Sequence, residues 1–580
     1  MKSIRRRTIA LTLAAALGLA PAAWASEALG HDIQTGTVSL SEGTELTHQI
    51  FWSDTYSDLR TERYFTYTPN RNVTPVVAYG DEITSRETLT SMAQRLEEQG
   101  KRLVGGINGD LYVMATGEPL GAVITDGVLR SVPGTTNQGY YAVGFRSDGT
   151  AFIGKPDLTV TATFHDTTFQ VTGGINKVRL SDGMVLFTED FGATTQNTQP
   201  GIDVILTPVL DDVGESVDVD LDVSEESQEA AESGASSAAD GDITGSEDLT
   251  TGAQTGSEAD PAKEVKGTLT QSGELMIGSR VTYKVEQVLE STGSIAIPAG
   301  KAVLSINNQA NSYWLSNVKS LKAGDLIDID VTSTEAIWQE ADQLMGGLYK
   351  LVTAGKVETS LPSGQTAYTA VGVKADGTVI FYTIDGKQSG YSVGASLTQV
   401  AMRLVELGCV DAISLDGGGS TTIGATYPDE DSLSVLNKPS DGSQRANSVA
   451  LFLTTDLKPT GELGSFYVTP SESLVLSGAQ VQLTATPVDT SYYAMDTTVP
   501  VAWSIRNGDG SVDTNGLFTA GSESGTTQVT ATSGAASGYT TMTVVKKPDS
   551  ITLTSEASGA AMTSVNLEPG GTFDLKANAG

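Results

Sequence analysis

Three short segments of this sequence carry polar side chains whose types and spacing suit chemistry. In Ser414–Thr422, SLDGGGSTT, an apolar run ends on Asp416, and three glycines and three hydroxyl residues follow. Consecutive glycines let a backbone approach a ligand closely and point its N–H groups at an anion. The segment is therefore either an ordinary turn or a cradle for a phosphate or a sugar. The residues predicted to bind substrate there are Gly417, Gly418, Gly419, Ser420 and Thr421.

The second segment, Ile107–Tyr112, reads INGDLY. Asn108 can donate and accept hydrogen bonds, so we interpret it as a substrate-binding residue, and Asp110 supplies a second carboxylate. The alternative is an Asn-Gly turn followed by a solvated Asp.

The third segment, Asn437–Ser448, reads NKPSDGSQRANS. The planar guanidinium of Arg445 could pair with a phosphate, and Asn447 could orient a sugar hydroxyl. The alternative is a surface loop without a ligand. Asp385, in TIDGKQSG, is interpreted as a turn residue.

Together these segments offer two carboxylates beside a possible cradle for a phosphate or a sugar. Our hypothesis takes Asp416 and Asp110 as the catalytic pair and leaves their individual roles open. Asp110, Asp416 and Asn447 are also oxygen ligands of the kind that Ca²⁺ or Mg²⁺ prefers, so dependence on either ion stays open. The sequence has no His or Cys cluster of the kind that binds zinc.

The elements that must position these residues occur twice. Leu89–Asn108 and Leu397–Asp416 align at a constant offset, and each pairs an amphipathic helix with a short apolar strand, with Gly100 and Gly408 as helix stops. If the two halves pack as equivalents, the strand ends bring Asn108 and Asp416 into one cleft.

A second repeat predicts two hairpins. Tyr140–Ile153 and Tyr368–Phe381 both carry Ala-Val-Gly and then an Asp-Gly-Thr turn between apolar runs. We therefore predict an α+β fold of mixed sheets flanked by helices with internal pseudo-symmetry, followed by an all-β immunoglobulin-like sandwich.

Composition divides the chain further. Its 580 residues are too many for one core. A basic start, an apolar run and the Ala23-Trp24-Ala25 pattern predict a signal peptide at 1–25 and a secreted protein, extracellular or at the cell surface. The other predicted units are an N-terminal strand-rich segment at 26–74, a main domain at 75–456 with a disordered acidic insertion at 211–262, an immunoglobulin-like domain at 464–546 and a partial second module at 549–580.

Charge and cysteine content limit the classes of function. The formal net charge of −35 argues against nucleic-acid binding, which needs clustered Lys and Arg. The single cysteine, Cys409, excludes a disulfide within the chain and predicts a buried thiol. After the leader, no stretch approaches the roughly 20 apolar residues of a membrane helix, so we expect no membrane insertion of the mature chain.

Several of these motifs resemble the phosphodiester glycosidase family. The resemblance rests on SLDGGGSTT, on PSDGSQRANSVALF, on INGDLY with GEPLGAVITDGVL, and on the segment LSINNQANSYWLSNVKSLKAGDLIDIDV. The family implies hydrolysis at a sugar anomeric carbon that bears a phosphodiester, with N-acetylglucosamine as the sugar of the mammalian enzyme. Tyr368 stands where the family usually has an Arg. The segments VAWSI, GSVDTNGLFTA and TTQVTAT resemble bacterial immunoglobulin-like group 2 domains.

The predicted function is therefore a secreted glycoside hydrolase. Its expected substrate is a sugar-1-phosphodiester, or a related glycosidic bond, in extracellular or cell-wall glycopolymers, and association with the wall is an expected consequence. One alternative is a non-catalytic carbohydrate-binding or adhesion protein on the same fold. Another is a phosphodiesterase that does not cleave at the sugar carbon.

Overall fold

The computed structural model of the protein describes residues 28–135, 139–210, 268–269, 273–555, 557–568 and 571–579. The predicted signal peptide and the predicted acidic insertion at 211–262 lie outside these residues. Within them, we find no helix long and apolar enough to cross a membrane.

The first part of the chain is made almost entirely of strands. Its elements are β1 (His31–Ser41), β2 (Thr44–Ser53), β3 (Asp58–Tyr67), β4 (Val73–Tyr79), α1 (Leu89–Glu98), β5 (Arg102–Asn108), β6 (Val123–Thr125), β7 (Val128–Ser131), β8 (Tyr141–Phe145), β9 (Ala151–Gly154), β10 (Leu158–Phe164), β11 (Thr167–Gln170), β12 (Met184–Phe187) and β13 (Gly201–Pro208).

The middle part adds two more helices. Its elements are β14 (Thr268–Leu269), β15 (Ser279–Ser291), β16 (Ala302–Asn307), α2 (Ser312–Ser320), β17 (Leu326–Ser333), β18 (Gln343–Gly347), β19 (Lys350–Thr353), β20 (Lys356–Val357), β21 (Tyr368–Lys374), β22 (Val379–Ile384), α3 (Leu397–Glu406), β23 (Cys409–Ser414), β24 (Ile423–Ala425), β25 (Ser434–Val435) and β26 (Val449–Thr455).

The C-terminal part contains strands alone among the residues described. They are β27 (Leu463–Thr469), β28 (Glu472–Leu476), β29 (Gln480–Gln482), β30 (Thr484–Asp489), β31 (Ala502–Asn507), β32 (Gly510–Val512), β33 (Leu517–Ala520), β34 (Gly525–Ser533), β35 (Ala536–Val545), β36 (Ile551–Ser555) and β37 (Leu575–Ala579).

The predicted α+β class is wrong, because the protein is nearly all β. Strands hold 48% of the residues and helices 8%. Helices do occur where the 3.6-residue periodicity placed them, at α1 and α3, and Gly100 and Gly408 follow them with φ of 89° and 93°. Both helices have only ten residues. The two helices cover parts of two sheets and do not flank the others. In the long stretches between them, apolar and polar residues alternate with a period of two, and these stretches form strands.

Four sheets build the main domain. Sheet I has the order β1-β2-β3-β22-β21-β23-β19-β20, and sheet II has the order β11-β10-β17-β15-β13-β16-β12, with β14 beside β15. Sheet III runs β7-β6-β18-β8-β9, and sheet IV runs β25-β24-β5-β26-β4. The two Asp-Gly hairpins form as predicted, β8 with β9 and β21 with β22. Strands β1–β3 pair onto β22, so the N-terminal strands complete sheet I.

One core lies mainly between sheets I, III and IV, and a larger one lies on sheet II. The first of these supports the site. Phe65, Val143, Phe381 and Leu451 are buried in it, one or more from each sheet. On the opposite side of sheet I, α3 packs through Leu397 and its apolar neighbours. The capping box of Ser396 and Gln399 fixes the start of α3, and so sets where β23 begins.

The C-terminal strands β27–β35 share a separate core around Phe518 and Val529, and the immunoglobulin-like assignment stays a prediction. This β-domain contacts the main domain through specific pairs. The Arg102 guanidinium lies 3.7 Å from the Tyr493 ring centroid and donates to two nearby carbonyl oxygens, and the Tyr427 and Tyr467 rings stack at 5.6 Å.

Candidate active site

Asn108 is the residue at which the ends of β5 and β23 meet. Its Nδ2 donates to the Asp416 carbonyl oxygen at 2.7 Å, and its Oδ1 accepts from the Thr369 hydroxyl at 2.7 Å and from the Thr422 N–H at 3.1 Å. The Asp416 N–H donates to the Gly109 carbonyl oxygen at 3.0 Å. The structure therefore brings Asn108 and Asp416 into direct contact and joins sheet IV to sheet I at this point.

Asp416 is the partly exposed member of the predicted carboxylate pair. The side chain is only partly buried, just beyond the last residue of β23. Burial raises the pKa of its carboxyl, while the Ser420 hydroxyl, the Arg445 charge and the Gly417 N–H favour the ionised form. A partly exposed carboxylate whose pKa lies above the ordinary Asp value is a stronger base than a free Asp side chain.

Asp110, the second predicted carboxylate, lies behind the cleft and is 1% exposed. Its Oδ2 accepts the Gly121 N–H at 2.6 Å, and a Cβ built on Gly346 would fall 2.4 Å from the same oxygen. Burial raises the pKa of Asp110 to about 7, the Gly121 N–H and the Lys177 ammonium oppose that shift, and the charge of Asp416 adds to it. The two carboxyl groups are therefore coupled electrostatically, but only Asp416 is placed to touch a substrate.

Close packing explains the run of glycines after Asp416. A Cβ at Gly417 would lie 2.9 Å from the Ala367 carbonyl oxygen, and one at Gly419 would lie 2.1 Å from an Asp441 carboxylate oxygen. Gly418 has φ of 61°, a left-handed conformation that favours glycine. Side chains at these positions would displace the neighbouring loop and strand end.

Part of the backbone of this loop is already hydrogen-bonded within the protein. The Gly418 N–H donates to the Ala367 carbonyl oxygen at 2.8 Å, and the Ser420 N–H donates to the Gly417 carbonyl oxygen at 3.2 Å. These two N–H groups are therefore turned away from a ligand. Anion binding at this loop falls mainly to the side chains that surround it.

Arg445 provides a cation at the rim of the cleft. Its Nη1 lies 3.3 Å from the Ser420 hydroxyl, while Nε and Nη2 donate to Asp441 Oδ2 at 3.0 and 2.6 Å. The side chains of Arg445 and Asp441 are 31% and 46% exposed. An exposed pair of this kind contributes little to stability, so a phosphate could displace Asp441 from the guanidinium.

Two further residues predicted to bind substrate are buried. Thr421 lies against the Thr369 hydroxyl at 3.3 Å. Asn447 donates from Nδ2 to the Arg445 carbonyl oxygen at 3.0 Å, and its backbone pairs with Glu87. The Asn447 Oδ1 finds no donor in the part of the chain that the structure describes. Thr421 and Asn447 therefore support the glycine loop and the Arg445 loop from within the protein.

Asp385 is not a solvent-exposed turn residue but part of a buried network. Its carboxyl oxygens accept from Asn437 Nδ2 at 2.8 Å and from the Tyr391 hydroxyl at 2.7 Å, and Arg63 lies 3.6 Å away. Asn437 also donates to the Thr421 carbonyl oxygen at 3.0 Å. The network fixes the far side of the glycine loop to sheet I.

Tyr112 is a site residue that the sequence reasoning missed. Its hydroxyl donates to the Ala446 carbonyl oxygen at 2.9 Å. Burial raises the pKa of its phenol, the charge of Asp416 adds to that shift, and the charge of Arg445 opposes it. The signal was available, because Tyr112 closes the INGDLY motif two residues after Asp110.

Lys177 is the second residue that was missed, because no motif marks it in the sequence. It is 6% exposed, and burial lowers the pKa of its ammonium to about 8, while Glu118 and Asp110 oppose that shift. It lies beside Asp110, on the side away from the cleft.

A pocket of about 480 Å³ lies away from Asp416, between β4, α1 and the turns near Asp126, Arg146 and Asp342. The charged side chains that line it are paired with one another or with neighbours, as Arg95 is with Asp81 and Arg146 with Glu340. We therefore assign no ligand to it.

A sequence comparison identifies a family that part of the chain resembles. The family model described as phosphodiester glycosidase matches residues 273–454, a range that includes β23, the glycine loop and Arg445. Over these residues the chain is similar to the phosphodiester glycosidase family. Asn108 and Asp110 lie outside the matched range, yet the structure places them against it. None of the curated proteins matches the chain.

Solved structures resemble this chain only distantly. A hypothetical protein from Synechocystis is 15% identical with a TM-score of 0.49, and the alignment covers 73% of this chain and 64% of that one. The chain therefore spans less than two thirds of that protein. The zebrafish N-acetylglucosamine-1-phosphodiester alpha-N-acetylglucosaminidase catalytic domain, auto-inhibited by its pro-peptide, is 14% identical with a TM-score of 0.31, covering 73% of this chain and 88% of that one.

Tyr368 lies at the edge of the same candidate site, beside Gly417. Its ring packs against Gly417, since a Cβ built there would lie 3.2 Å from Tyr368 Cδ1, and its hydroxyl donates to the Gly364 carbonyl oxygen at 3.3 Å. A phenol supplies no positive charge there, so Arg445 is the nearest cation to Asp416 that we identify among the described residues.

The described residues contain no group of three or more His, Cys, Asp or Glu side chains arranged to hold a metal ion. Ca²⁺ or Mg²⁺ dependence stays an open question for the experiment given under the proposed function.

Proposed function

We propose that this protein is a secreted glycosidase that cleaves the bond between a sugar anomeric carbon and a phosphodiester, as in an N-acetylglucosamine-1-phosphodiester of an extracellular or cell-wall glycopolymer. The observation that carries the proposal is the position of Asp416. It is the partly exposed carboxylate at the end of β23, flanked by the Ser420 hydroxyl and the Arg445 guanidinium. The phosphodiester glycosidase family match supports the reaction class, and the leader pattern of the sequence supports export.

Asp416 takes the proton of the attacking water in this proposal. Water adds to the anomeric carbon, the bond from that carbon to the phosphate oxygen breaks, and the phosphomonoester leaves with the bonding electrons. A phosphate is a much better leaving group than a sugar alkoxide, so the reaction needs little protonation of the departing oxygen. One exposed carboxylate therefore suffices where ordinary glycosidases use two.

Arg445 and Ser420 stabilise the charge that develops on the departing phosphate. The guanidinium has a planar set of donors that matches phosphate oxygens, and Asp441 holds it beside Asp416 until substrate arrives. Fixed donors aimed at developing charge contribute the largest single term in many enzymes.

Asp110 has a structural role in this proposal and does not contact the sugar. Its carboxyl is enclosed by the backbones of Gly121 and Gly346, and the charge of Asp416 adds to the burial that raises its pKa. We assign it the role of fixing the turn that follows β5.

The test is hydrolysis of a synthetic N-acetylglucosamine-1-phosphodiester in H₂¹⁸O by the purified mature protein. The proposal predicts free sugar and a phosphomonoester without ¹⁸O, because water attacks carbon. Sugar-1-phosphate, or ¹⁸O in the phosphomonoester, would indicate a phosphodiesterase. A folded protein that binds the compound without releasing product would indicate a binding protein. A parallel reaction with EDTA shows whether Ca²⁺ or Mg²⁺ is required.

A further inference from the structure

Lys177 is a buried cation. Its ammonium is hydrogen-bonded, and so is the side chain of the residue before it. Its Nζ donates to the carbonyl oxygen of Pro119 and, at 3.3 Å, to that of Gly121. The preceding residue, Asn176, is locked by hydrogen bonds of 2.8 Å to the Arg130 carbonyl oxygen and to the Thr188 hydroxyl. Lysine is almost never buried unless it is paired, so this position needs an explanation.

The ammonium lies among oxygen atoms of the type that bind hard cations. Besides the two carbonyl oxygens, the charges of Glu118 and Asp110 act on it. Gly121 links the cluster, because its carbonyl oxygen faces Lys177 and its N–H donates to Asp110 at 2.6 Å.

The cluster connects to the cleft through one turn. Tyr112 pairs with Pro119 as an antiparallel bridge, and the Leu120 N–H donates to the Leu111 carbonyl oxygen at 2.8 Å. The far end of Tyr112 is held by Ala446, beside Asp416 and Arg445. A displacement of Pro119 would therefore move the Tyr112 ring.

We infer that Lys177 is a built-in cation and a positioning residue of the proposed active site. Its ammonium occupies the place that a free cation would take among these oxygens, and it holds the Leu111–Gly121 turn so that Tyr112 and Asp110 keep their places beside Asp416. The inference rests on the proposed function only for its effect on turnover, since the effect on stability is independent of any reaction.

The experiment compares Lys177→Met with Lys177→Ala by calorimetry and by turnover of the synthetic phosphodiester. Lys177→Met should lower Tm by roughly 5 °C or more, because it leaves the buried carbonyl oxygens of Pro119 and Gly121 without their donor, and should lower kcat by roughly tenfold or more. Ethylammonium should restore Tm and kcat to Lys177→Ala, which leaves a space for it, but not to Lys177→Met. Sodium chloride at equal ionic strength should restore neither, and Lys319→Ala, which removes an exposed ammonium, should leave both unchanged.

A double variant keeps the test decisive if Lys177→Ala does not fold. Asp110→Asn with Lys177→Met removes both buried charges, so its Tm should exceed that of Lys177→Met alone. A wild-type Tm for Lys177→Met, or a double variant whose losses simply add, would overturn the inference. If wild type releases no product, the Tm comparisons still decide the role of Lys177, and only the proposed function fails.

Discussion

The Asn108 side-chain amide donates to the Asp416 carbonyl oxygen at 2.7 Å, although the two residues are 308 positions apart. They are also equivalent positions of the internal repeat, each at the end of a strand that follows a helix. The contact fixes the backbone of Asp416 from the side opposite to the cleft. Its carboxyl is then left free to face a substrate, with Ser420 and Arg445 beside it.

Because Arg445 pairs with Asp441, substitutions of the two residues should change KM in opposite directions. Arg445→Met should raise KM for the phosphodiester about tenfold or more, because a charge-assisted hydrogen bond to phosphate is lost. Asp441→Asn should lower KM, because it releases the guanidinium from its bonds to Oδ2. Steady-state kinetics on the phosphodiester, and on an aryl glycoside of the same sugar without phosphate, would check both. Equal changes on the two substrates would contradict a role for Arg445 at the phosphate.

The Ser420 hydroxyl predicts a shift in the pH dependence of turnover. Burial raises the pKa of Asp416, and the Ser420 hydrogen bond lowers it by favouring the carboxylate. Ser420→Ala removes that opposing effect, so the pKa rises further and the acid limb of kcat/KM should move up by about one pH unit. Ser434→Ala, on a distant strand, serves as the matched control. An acid limb that stays in place or moves to lower pH would show that Asp416 does not titrate there.

The contact of Arg102 with the C-terminal β-domain predicts that the two parts unfold together. The guanidinium covers the Tyr493 ring and donates to the carbonyl oxygens of Ser491 and Tyr492 at 3.2 and 2.9 Å. Arg102→Ala should cost on the order of 2 kcal/mol and split the calorimetric transition in two. Lys101→Ala, which removes an exposed pair with Asp456, should leave a single transition. Two transitions in wild type would mean that the contact does not couple the domains.

Local patterns in the sequence predicted the parts of the site that depend on neighbouring residues. The helix periodicity before Cys409 and the glycines after Asp416 are local signals, and the repeat identified Asn108 as the counterpart of Asp416. The predicted fold class was wrong because two short helices were taken as typical of the whole domain. The order of strands in the sheets could not be predicted either, because the pairing of β3 with β22 joins segments more than 300 residues apart along the chain.

Lys177 could not be identified from its neighbours, because the sequence around it, GGINKVRL, resembles any short strand or turn. Its partners Pro119 and Gly121 lie 58 and 56 residues earlier. Only the folded chain brings them together. The burial of Asp110 was hidden for the same reason, since Gly346 encloses it from a different sheet.

The most direct test of the role of Asp416 compares kcat of Asp416→Asn with kcat of Asp411→Asn on the synthetic phosphodiester. Calorimetry verifies that both variants fold. Asp411 lies within β23 and Asp416 lies just beyond its end, so both substitutions remove a carboxylate from the same part of the chain. Asp411, however, pairs with Lys350 at 2.8 Å. The account predicts a loss of about 10³-fold or more for Asp416→Asn with an unchanged Tm, and nearly full activity for Asp411→Asn. An Asp416→Asn protein that turns over like wild type would contradict it.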